Sequence, residues 1–299
     1  MIYTLTFNPA IDYVMCIDRL RRGETNRSKS EDIQFGGKGI NVSTVLANLG
    51  CKTVALGFIA GFTGEALDRA VTGRGVRTDF IRLPAGNTRI NVKLKSDAET
   101  EINAQGPVIG EQDLMKLYEK LDAIAAGDTL VLAGSVPGTL PQDVYEQILS
   151  RLQGREIRFV VDATGELLTN VLKYHPFLIK PNRAELEEIC GRELQTDEEI
   201  AEAARELKAK GAQNVLVSLG GDGALLVDEF DRVHRQAAFQ GKAVNTVGSG
   251  DSMVAGFLVG AERDYDYALT LGNAAGSATA FSPRLATKEE IMALCQKRA

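Results

Sequence analysis

The chain has 299 residues, of which 44% are hydrophobic and 25% are charged, and its formal net charge is −6. This composition is ordinary for a globular protein, and the acidic excess argues against a nucleic-acid partner. No apolar window reaches the roughly 18 residues that cross a membrane, and no leader peptide is evident. The four cysteines form no C-x-x-C pair, which favours free thiols in the cytoplasm. The chain has only two histidines, which disfavours zinc chemistry or a Ser-His-Asp triad.

Short apolar segments alternate along the chain with amphipathic segments of helical period. Such alternation is typical of an α/β fold, in which helices cover both faces of a mostly parallel sheet. Ligands bind such sheets at the carboxyl ends of the strands. Strands are predicted at residues 2–7, 52–59, 128–133, 157–161, 176–180 and 214–219. Helices are predicted at residues 64–73, 112–125, 142–152 and 197–210.

Two polar segments, residues 12–35 and 88–103, interrupt this alternation. In the second, Ile90, Val92 and Leu94 alternate with polar residues, which is the period of a half-exposed strand. We therefore predict a small sheet that serves as a lid, a dimerisation surface or both, and two ordinary surface hairpins are the alternative. The main domain would then comprise residues 1–11, 36–87 and 104–299.

Two glycine-rich turns stand directly before helical patterns. The first, residues 36–41, precedes apolar positions with helical spacing, and the second, residues 245–251, ends on Asp251 and an apolar run. Backbone N–H groups at a helix start form an anion site. A carboxylate at such a place has two interpretations. Asp251 is either a general base for a hydroxyl that attacks a phosphoryl group, or a helix N-cap.

Together the two turns resemble the two signatures of the ribokinase-like (PfkB) sugar kinases, in the same order and with similar separation. Further matches extend the resemblance over essentially the whole chain, at residues 6–12, 88–93, 180–185 and 218–224. The resemblance implies a three-layer α/β/α fold with a mostly parallel central sheet and a small β-sheet lid. It also implies ATP as co-substrate, Mg²⁺, and a homodimer that forms through the lid.

The function that this resemblance implies is ATP-dependent phosphorylation of a phosphosugar, fructose 1-phosphate, at its C6 hydroxyl. Tagatose 6-phosphate remains the alternative substrate, and a non-catalytic sugar or nucleotide sensor on the same fold is less favoured. Asp251 is the expected general base. The backbone N–H groups of Gly248, Ser249 and Gly250 are expected to stabilise charge on the transferring phosphoryl group.

The substrate phosphate is predicted to lie between Lys38 and Arg89, because Arg offers a planar fork and Lys a point charge. The alternative for Lys38 and Arg89 is that they are solvated charges, as is common for such residues on edge strands. For the polar residues named next, the alternative is that they form turns. The remaining predicted substrate contacts are Asp12, Gly37, Asn41, Asn91, Lys93 and Ser135.

The resemblance implies that Asn182 and Glu185 organise Mg²⁺ through water. From the spacing alone a capping box, Asn-x-x-Glu, fits the pair as well. For Asn273, expected near adenine, a helix packed through small residues is the alternative. The predicted nucleotide contacts are Lys180, Ser218, Gly220, Gly221, Asp222, Gly223, Ser249, Gly250 and Asn273.

Overall fold

The computed structural model describes residues 1–297, so the last two residues of the predicted main domain lie outside the described part. The strands of this part are β1 Ile2–Thr6, β2 Ala10–Cys16, β3 Ser30–Gly36, β4 Thr53–Ala60, β5 Arg77–Thr78, β6 Ile81–Leu83, β7 Arg89–Lys95, β8 Thr100–Ile102, β9 Thr129–Ala133, β10 Arg158–Asp162, β11 Leu178–Ile179, β12 Asn214–Ser218, β13 Ala224–Val227 and β14 Val233–Gln236. The helices are α1 Lys38–Asn48, α2 Gly61–Thr72, α3 Glu111–Asp122, α4 Val144–Leu152, α5 Glu166–Thr169, α6 Arg183–Cys190, α7 Asp197–Ala209, α8 Ser249–Gly260, α9 Tyr265–Phe281 and α10 Lys288–Gln296. Short 3₁₀ turns lie at Leu172–Tyr174 and Gly220–Asp222.

The main sheet has the strand order β14-β13-β12-β11-β10-β9-β1-β4-β5, with β6 pairing to β4. Its two faces carry separate cores, because successive side chains of a strand point to opposite sides. Leu130 and Leu132 of β9 join the core beneath α3, α4 and α7. Val131 and Ala133 join the core beneath α1, α8 and α9. This arrangement confirms the predicted three-layer α/β/α fold.

The end of the sheet differs from the predicted pattern, because β12, β13 and β14 pair antiparallel. A tight turn at Gly223 makes this pairing possible. Gly223 has φ +102°, and a Cβ at this position would lie 2.0 Å from the Gln236 carbonyl oxygen. Only glycine is compatible with this turn. The hairpin extends the sheet beyond the last predicted strand.

A second sheet of four strands has the order β3-β2-β7-β8. Strands β2 and β7 pair in parallel and place Asp12 beside Asn91 and Tyr13 beside Val92. Period-two alternation therefore gives this small sheet a polar face, which includes Asp12 and Asn91, and an apolar face, which includes Tyr13 and Val92. The polar face shares a cleft with residues 243–247 of the main body.

Helices α8 and α9 pack closely through small residues. A Cβ at Gly256 would lie 2.5 Å from the Leu271 carbonyl oxygen, and one at Gly260 would lie 2.5 Å from Ala268 Cα. This close approach fixes the start of α8 relative to the sheet. Among residues 1–297, none of the helices combines the length and apolarity that a membrane span requires.

Candidate active site

The two glycine-rich turns meet at the carboxyl ends of the central strands. Asp251 lies in the first turn of α8 and is buried. Asn41, in the first turn of α1, donates a hydrogen bond from Nδ2 to Asp251 Oδ2 at 2.8 Å. The fold thus places the two turns in direct contact, although they are far apart in sequence.

A second carboxylate, Asp162, lies beside this pair at the end of β10 and is almost completely buried. Its Oδ1 is 3.4 Å from Lys38 Nζ and 3.5 Å from Lys180 Nζ. Its Oδ2 is buried and has no hydrogen-bond partner among the described residues. The sequence prediction missed Asp162. An acid that ends an apolar strand of a parallel sheet was the available signal, because ligands bind at that edge.

The charges around this site shift the pKa values of Asp251 and Lys38. Burial and the negative charge of Asp162 raise the pKa of Asp251 to about 6, against the opposing effects of Asn41, Lys38 and Lys180. Burial alone would lower the pKa of Lys38, but the carboxylates of Asp162, Asp251 and Glu185 outweigh it and raise the pKa. Lys38 is therefore a permanent cation, whereas Asp251 is poised to exchange a proton near neutral pH.

A pH dependence of turnover follows from this shift. A general base works only when it is ionised, and the pH dependence of kcat/KM reports the pKa of the ligand-free enzyme, so kcat/KM should be constant above pH 7 and fall about tenfold per pH unit below the pKa of about 6. Initial rates between pH 4.5 and 8.5, with stability checked at each pH, measure this limb. A rate that stays constant down to pH 4.5 would contradict the assignment of Asp251 as the base.

The turn that leads into α8 is built for an anion. Gly248 is left-handed with φ +81°, and Ser249 Oγ is buried without a hydrogen-bond partner in the described part of the chain. A Cβ at Gly250 would lie 3.1 Å from Lys180 Nζ, so this ammonium group stands over the turn. The Ser249 N–H donates to the Thr246 carbonyl oxygen at 3.2 Å, and its role towards a transferring phosphoryl group stays a prediction. The helix dipole and Lys180 supply positive charge at this position.

A cleft of about 310 Å³ opens next to Lys38, and its wall also contains Gly37, Arg89 and Ser135. Arg89 Nε donates to the Asn8 carbonyl oxygen at 3.2 Å, and burial lowers the pKa of its guanidinium. The structure therefore places the two predicted phosphate ligands, Lys38 and Arg89, around one space.

The turn that carries Ser135 is held from below by Tyr145, a second residue that the sequence prediction missed. Tyr145 is buried, and its hydroxyl donates to the Gly134 carbonyl oxygen at 3.0 Å. Burial, followed by the charge of Asp162, raises the pKa of Tyr145. A tyrosine in an amphipathic helix gives no sequence signal for this role, because it reads as a core residue.

The lid residues divide into two groups. Asn91 Nδ2 donates to Asp12 Oδ1 at 2.8 Å, which fixes both side chains on the polar face. Lys93 forms an ion pair with Glu101 at 2.5 Å and lines a different cleft, shared with Asp12 and residues 243–247. Lys93 shares the polar face of β7 with Arg89, but it lies four residues further along the strand, faces the acid Glu101 on β8 and lines the other cleft.

Asn182 and Glu185 form the capping box that was the alternative interpretation. Asn182 Oδ1 accepts from the Glu185 N–H at 2.8 Å, and Glu185 Oε2 accepts from the Asn182 N–H at 2.8 Å. Glu185 nevertheless lies close enough to Lys38 to raise its pKa. Among residues 1–297, no group of three or more His, Cys, Asp or Glu side chains is arranged as a metal site.

The predicted nucleotide turn borders an open cleft of about 560 Å³. Gly221 and Asp222 line it, as do Arg183 and Arg235, which the sequence prediction missed. Ser218, Gly220 and Gly223 lie on the strand end and turn that carry Gly221. Asn273 is buried, and its Nδ2 donates to the Ala237 carbonyl oxygen at 2.9 Å. Asn273 therefore holds Ala237, which lines this cleft, and the predicted place of Asn273 near adenine stays a prediction.

Comparison with known proteins agrees with this geometry. The model of the family described as "pfkB family carbohydrate kinase" matches residues 5–291. The chain belongs to this family. A 1-phosphofructokinase of Bacillus subtilis (strain 168) is 43% identical over 98% of the chain and 97% of that protein. A D-tagatose-1-phosphate kinase of Bacillus licheniformis is 38% identical over 95% of the chain and 94% of that protein.

A solved structure extends the likeness to the fold. The phosphofructokinase-2 of Escherichia coli, in complex with substrates and products, superimposes with a TM-score of 0.93 at 29% sequence identity. The match covers 99% of this chain and 98% of the Escherichia coli chain. As a pfkB-family carbohydrate kinase, the protein is a phosphotransferase that acts on a sugar hydroxyl, with ATP as the co-substrate that the family implies.

Proposed function

We propose that the protein transfers the γ-phosphoryl group of ATP to the C6 hydroxyl of fructose 1-phosphate and yields fructose 1,6-bisphosphate, in the cytoplasm where ATP is available. The observation that carries the proposal is the cleft next to Lys38, in which Lys38 and Arg89 flank a space suited to a phosphate already present on the substrate. Lys38 also lies close enough to Asp251 for the carboxylate to raise its pKa. An unphosphorylated sugar would bring no anion to this space, where Lys38 has Asp162 as an ionic partner and Arg89 donates to backbone carbonyl oxygens. The 43% identical relative from Bacillus subtilis supports the same substrate.

In this proposal, Asp251 accepts the proton of the attacking hydroxyl, and Asn41 orients the carboxylate through its 2.8 Å hydrogen bond. Lys180 stands over Gly250, where it balances charge on the transferring phosphoryl group. Asp162 holds Lys38 and Lys180 from behind. The nucleotide lies towards Gly221 and Asp222.

We further propose Mg²⁺ as the metal that accompanies ATP. Mg²⁺ prefers oxygen ligands and keeps several waters, so it needs few protein side chains. The partnerless buried Oδ2 of Asp162 fits this demand, and Glu185 lies nearby as a second carboxylate. Bound Mg²⁺ would neutralise charge on the triphosphate. Asn182 supports Glu185 through the capping box and would not need to bind the metal itself.

The main alternative substrate is tagatose 1-phosphate, because a D-tagatose-1-phosphate kinase is 38% identical over nearly the whole chain. Tagatose differs from fructose in the configuration at C4, so both phosphosugars present a phosphate at C1 and a hydroxyl at C6. The substrate in the name of this relative has its phosphate at C1. The alternative expected from the sequence was tagatose 6-phosphate, which has its phosphate at C6. The geometry around Lys38 and Arg89 is compatible with both C1 phosphates.

A coupled assay of ADP release against a panel of sugars tests the proposal. The panel contains fructose 1-phosphate, tagatose 1-phosphate, tagatose 6-phosphate, fructose 6-phosphate and fructose. We expect the highest kcat/KM with fructose 1-phosphate and the lowest with fructose. If none of the phosphosugars releases ADP above the rate with ATP alone, the proposed function is wrong.

We also propose that the four-stranded small sheet, built from segments 12–35 and 88–103, is a lid through which two copies of the chain pair. Its apolar face remains open to solvent: Ile33 is 49%, Ile90 is 44% and Ile102 is 59% exposed. An exposed apolar sheet face of this kind normally has a partner. A second copy of the same face is the simplest one, since closed dimers use one patch twice.

The change Ile33→Asp tests this surface. We expect the wild-type protein to sediment as a dimer at micromolar concentration and the variant to sediment as a monomer, because a charge would be buried at the centre of the interface. Phe230→Asp, at another exposed apolar residue in the β13–β14 turn, is the matched control and should stay dimeric. A monomeric wild-type protein, or two variants with equal effects, would count against the proposed interface.

A further inference from the structure

A groove of about 220 Å³ extends from the catalytic turn along the root of the small sheet. Part of its wall is formed by groups already assigned to the sugar, namely Asp12, Gly37 and Asn41. The rest includes two arginines, Arg74 and Arg284, which no step of the proposed reaction uses. Their presence in one groove needs an explanation of its own.

Arg74 is a half-buried cation without an ionic partner. It follows α2, and its Nη1 donates to the Phe35 carbonyl oxygen of β3 at 3.0 Å. Among residues 1–297, no carboxylate lies within 4.0 Å of its guanidinium nitrogens. Burial and the positive charge of Arg284 both lower the pKa of Arg74. A guanidinium that is partly desolvated and faces a like charge is costly unless an anion neutralises it.

Arg284 approaches the same groove from the loop between α9 and α10. Its side chain is 70% exposed and contacts Asp32 of β3 at 3.3 Å. An ion pair this exposed contributes little and leaves most of the guanidinium donors free. Arg74 and Arg284 share the groove's wall with the acid Asp12, so the charged side chains of the wall carry an excess of one positive charge.

The wall between the arginines and the catalytic turn is polar. Thr44 and Asn48 line the groove on the same side of α1 as Asn41, at spacings of three and seven residues. Asn48 Nδ2 donates to the Ala286 carbonyl oxygen at 2.8 Å, so its Oδ1 is the atom available to a ligand donor. This lining suits a hydrated or hydroxylated anion better than an apolar molecule.

We propose that Arg74 and Arg284 form a second phosphate-binding site, separate from the one between Lys38 and Arg89. One phosphate dianion neutralises the charge of two guanidinium groups that otherwise repel each other. The planar N–H donors of the guanidinium groups also match the geometry of phosphate oxygens. The occupant is inorganic phosphate or a phosphate monoester of a small hydroxylated molecule. Because both arginines contact β3, the occupant would also fix the root of the lid to the main body.

The test measures binding without turnover, so its outcome is independent of the reaction assigned above. Inorganic phosphate, and glycerol 3-phosphate as a monoester, are titrated calorimetrically at low ionic strength without nucleotide. We expect two classes of site in the wild-type protein. In the double variant R74M/R284M, the affinity of the site between Arg74 and Arg284 should fall at least tenfold. In K38Q/R89Q, the affinity of the site between Lys38 and Arg89 should fall instead.

Three controls keep this result interpretable. Arg205→Met, at an exposed position on α7, should retain both classes. If R74M/R284M does not fold, the single change Arg284→Glu at the 70% exposed side chain reverses the charge and should abolish the same class. Hydrogen exchange of residues 30–36 should slow when phosphate binds K38Q/R89Q, and it should not respond in R74M/R284M.

Tighter binding of glycerol 3-phosphate than of phosphate would identify a monoester as the ligand, and equal or weaker binding would identify the free anion. The proposal fails if K38Q/R89Q loses all phosphate binding while R74M/R284M retains the wild-type isotherm. It also fails if Arg205→Met reduces binding as much as R74M/R284M, because a general surface charge would then explain the effect.

Discussion

Replacing Asp251 by Asn should lower kcat by about two to four orders of magnitude, which is the usual contribution of a general base. Asn keeps the size of the side chain and can still accept the hydrogen bond from Asn41 Nδ2, so the turn should stay in place. We expect the Kd for ATP to change less than about threefold, because only basicity is removed. Steady-state kinetics with fructose 1-phosphate, together with equilibrium binding of ATP, measures both quantities.

The matched control for this change is Asp113→Asn. Asp113 is also a buried acid, but it lies in α3, where it pairs with Lys116 at 2.8 Å, outside the site. Its kcat should stay close to that of the wild-type protein. Gly248 is the N-cap of α8 and no side chain caps the helix, so the structure does not support a capping role for Asp251. Should Asp251→Asn retain more than about a tenth of wild-type turnover, Asp251 would only hold Asn41 in place and some other group would be the base.

Replacing Arg89 by Ala should raise the KM for fructose 1-phosphate by about 10- to 1000-fold, since each charged hydrogen bond contributes about 1.5–3 kcal/mol. The KM for ATP should change far less, because Arg89 borders the cleft of Lys38 and Ser135 and not the nucleotide turn. Arg89→Lys should give an intermediate KM, as it keeps the charge but loses the planar fork.

Lys93→Ala is the control on the same strand, four residues further on. Lys93 is neutralised by Glu101 at 2.5 Å, so its removal should change the KM for the phosphosugar less than about threefold. Thermal unfolding of each variant separates binding from stability, because Arg89 also contacts the Asn8 carbonyl oxygen. An equal rise of KM for both substrates in Arg89→Ala would place Arg89 in the scaffold or at the nucleotide.

Several features of this protein were determined by local sequence. The spacing of apolar residues predicted the alternation of strands and helices, because this spacing depends only on residues that are close together in the sequence. The glycine turns at 36–41 and 245–251 predicted two anion-binding helix starts, and the family resemblance assigned Asp251, Lys38 and Arg89 their roles. The Asn182–Glu185 spacing was compatible with a capping box, and the structure contains one.

Only the tertiary structure decided which side chains meet. Asp162 became the partner of Lys38 and Lys180 because β10 lies between β9 and β11 in the sheet, an order that no local pattern encodes. Lys93 faced Glu101 because of the β7–β8 register. Arg74 and Arg284 came to one groove from the ends of α2 and α9. Such contacts join segments distant in sequence, and their electrostatics depend on burial and strand order, which composition and periodicity do not specify.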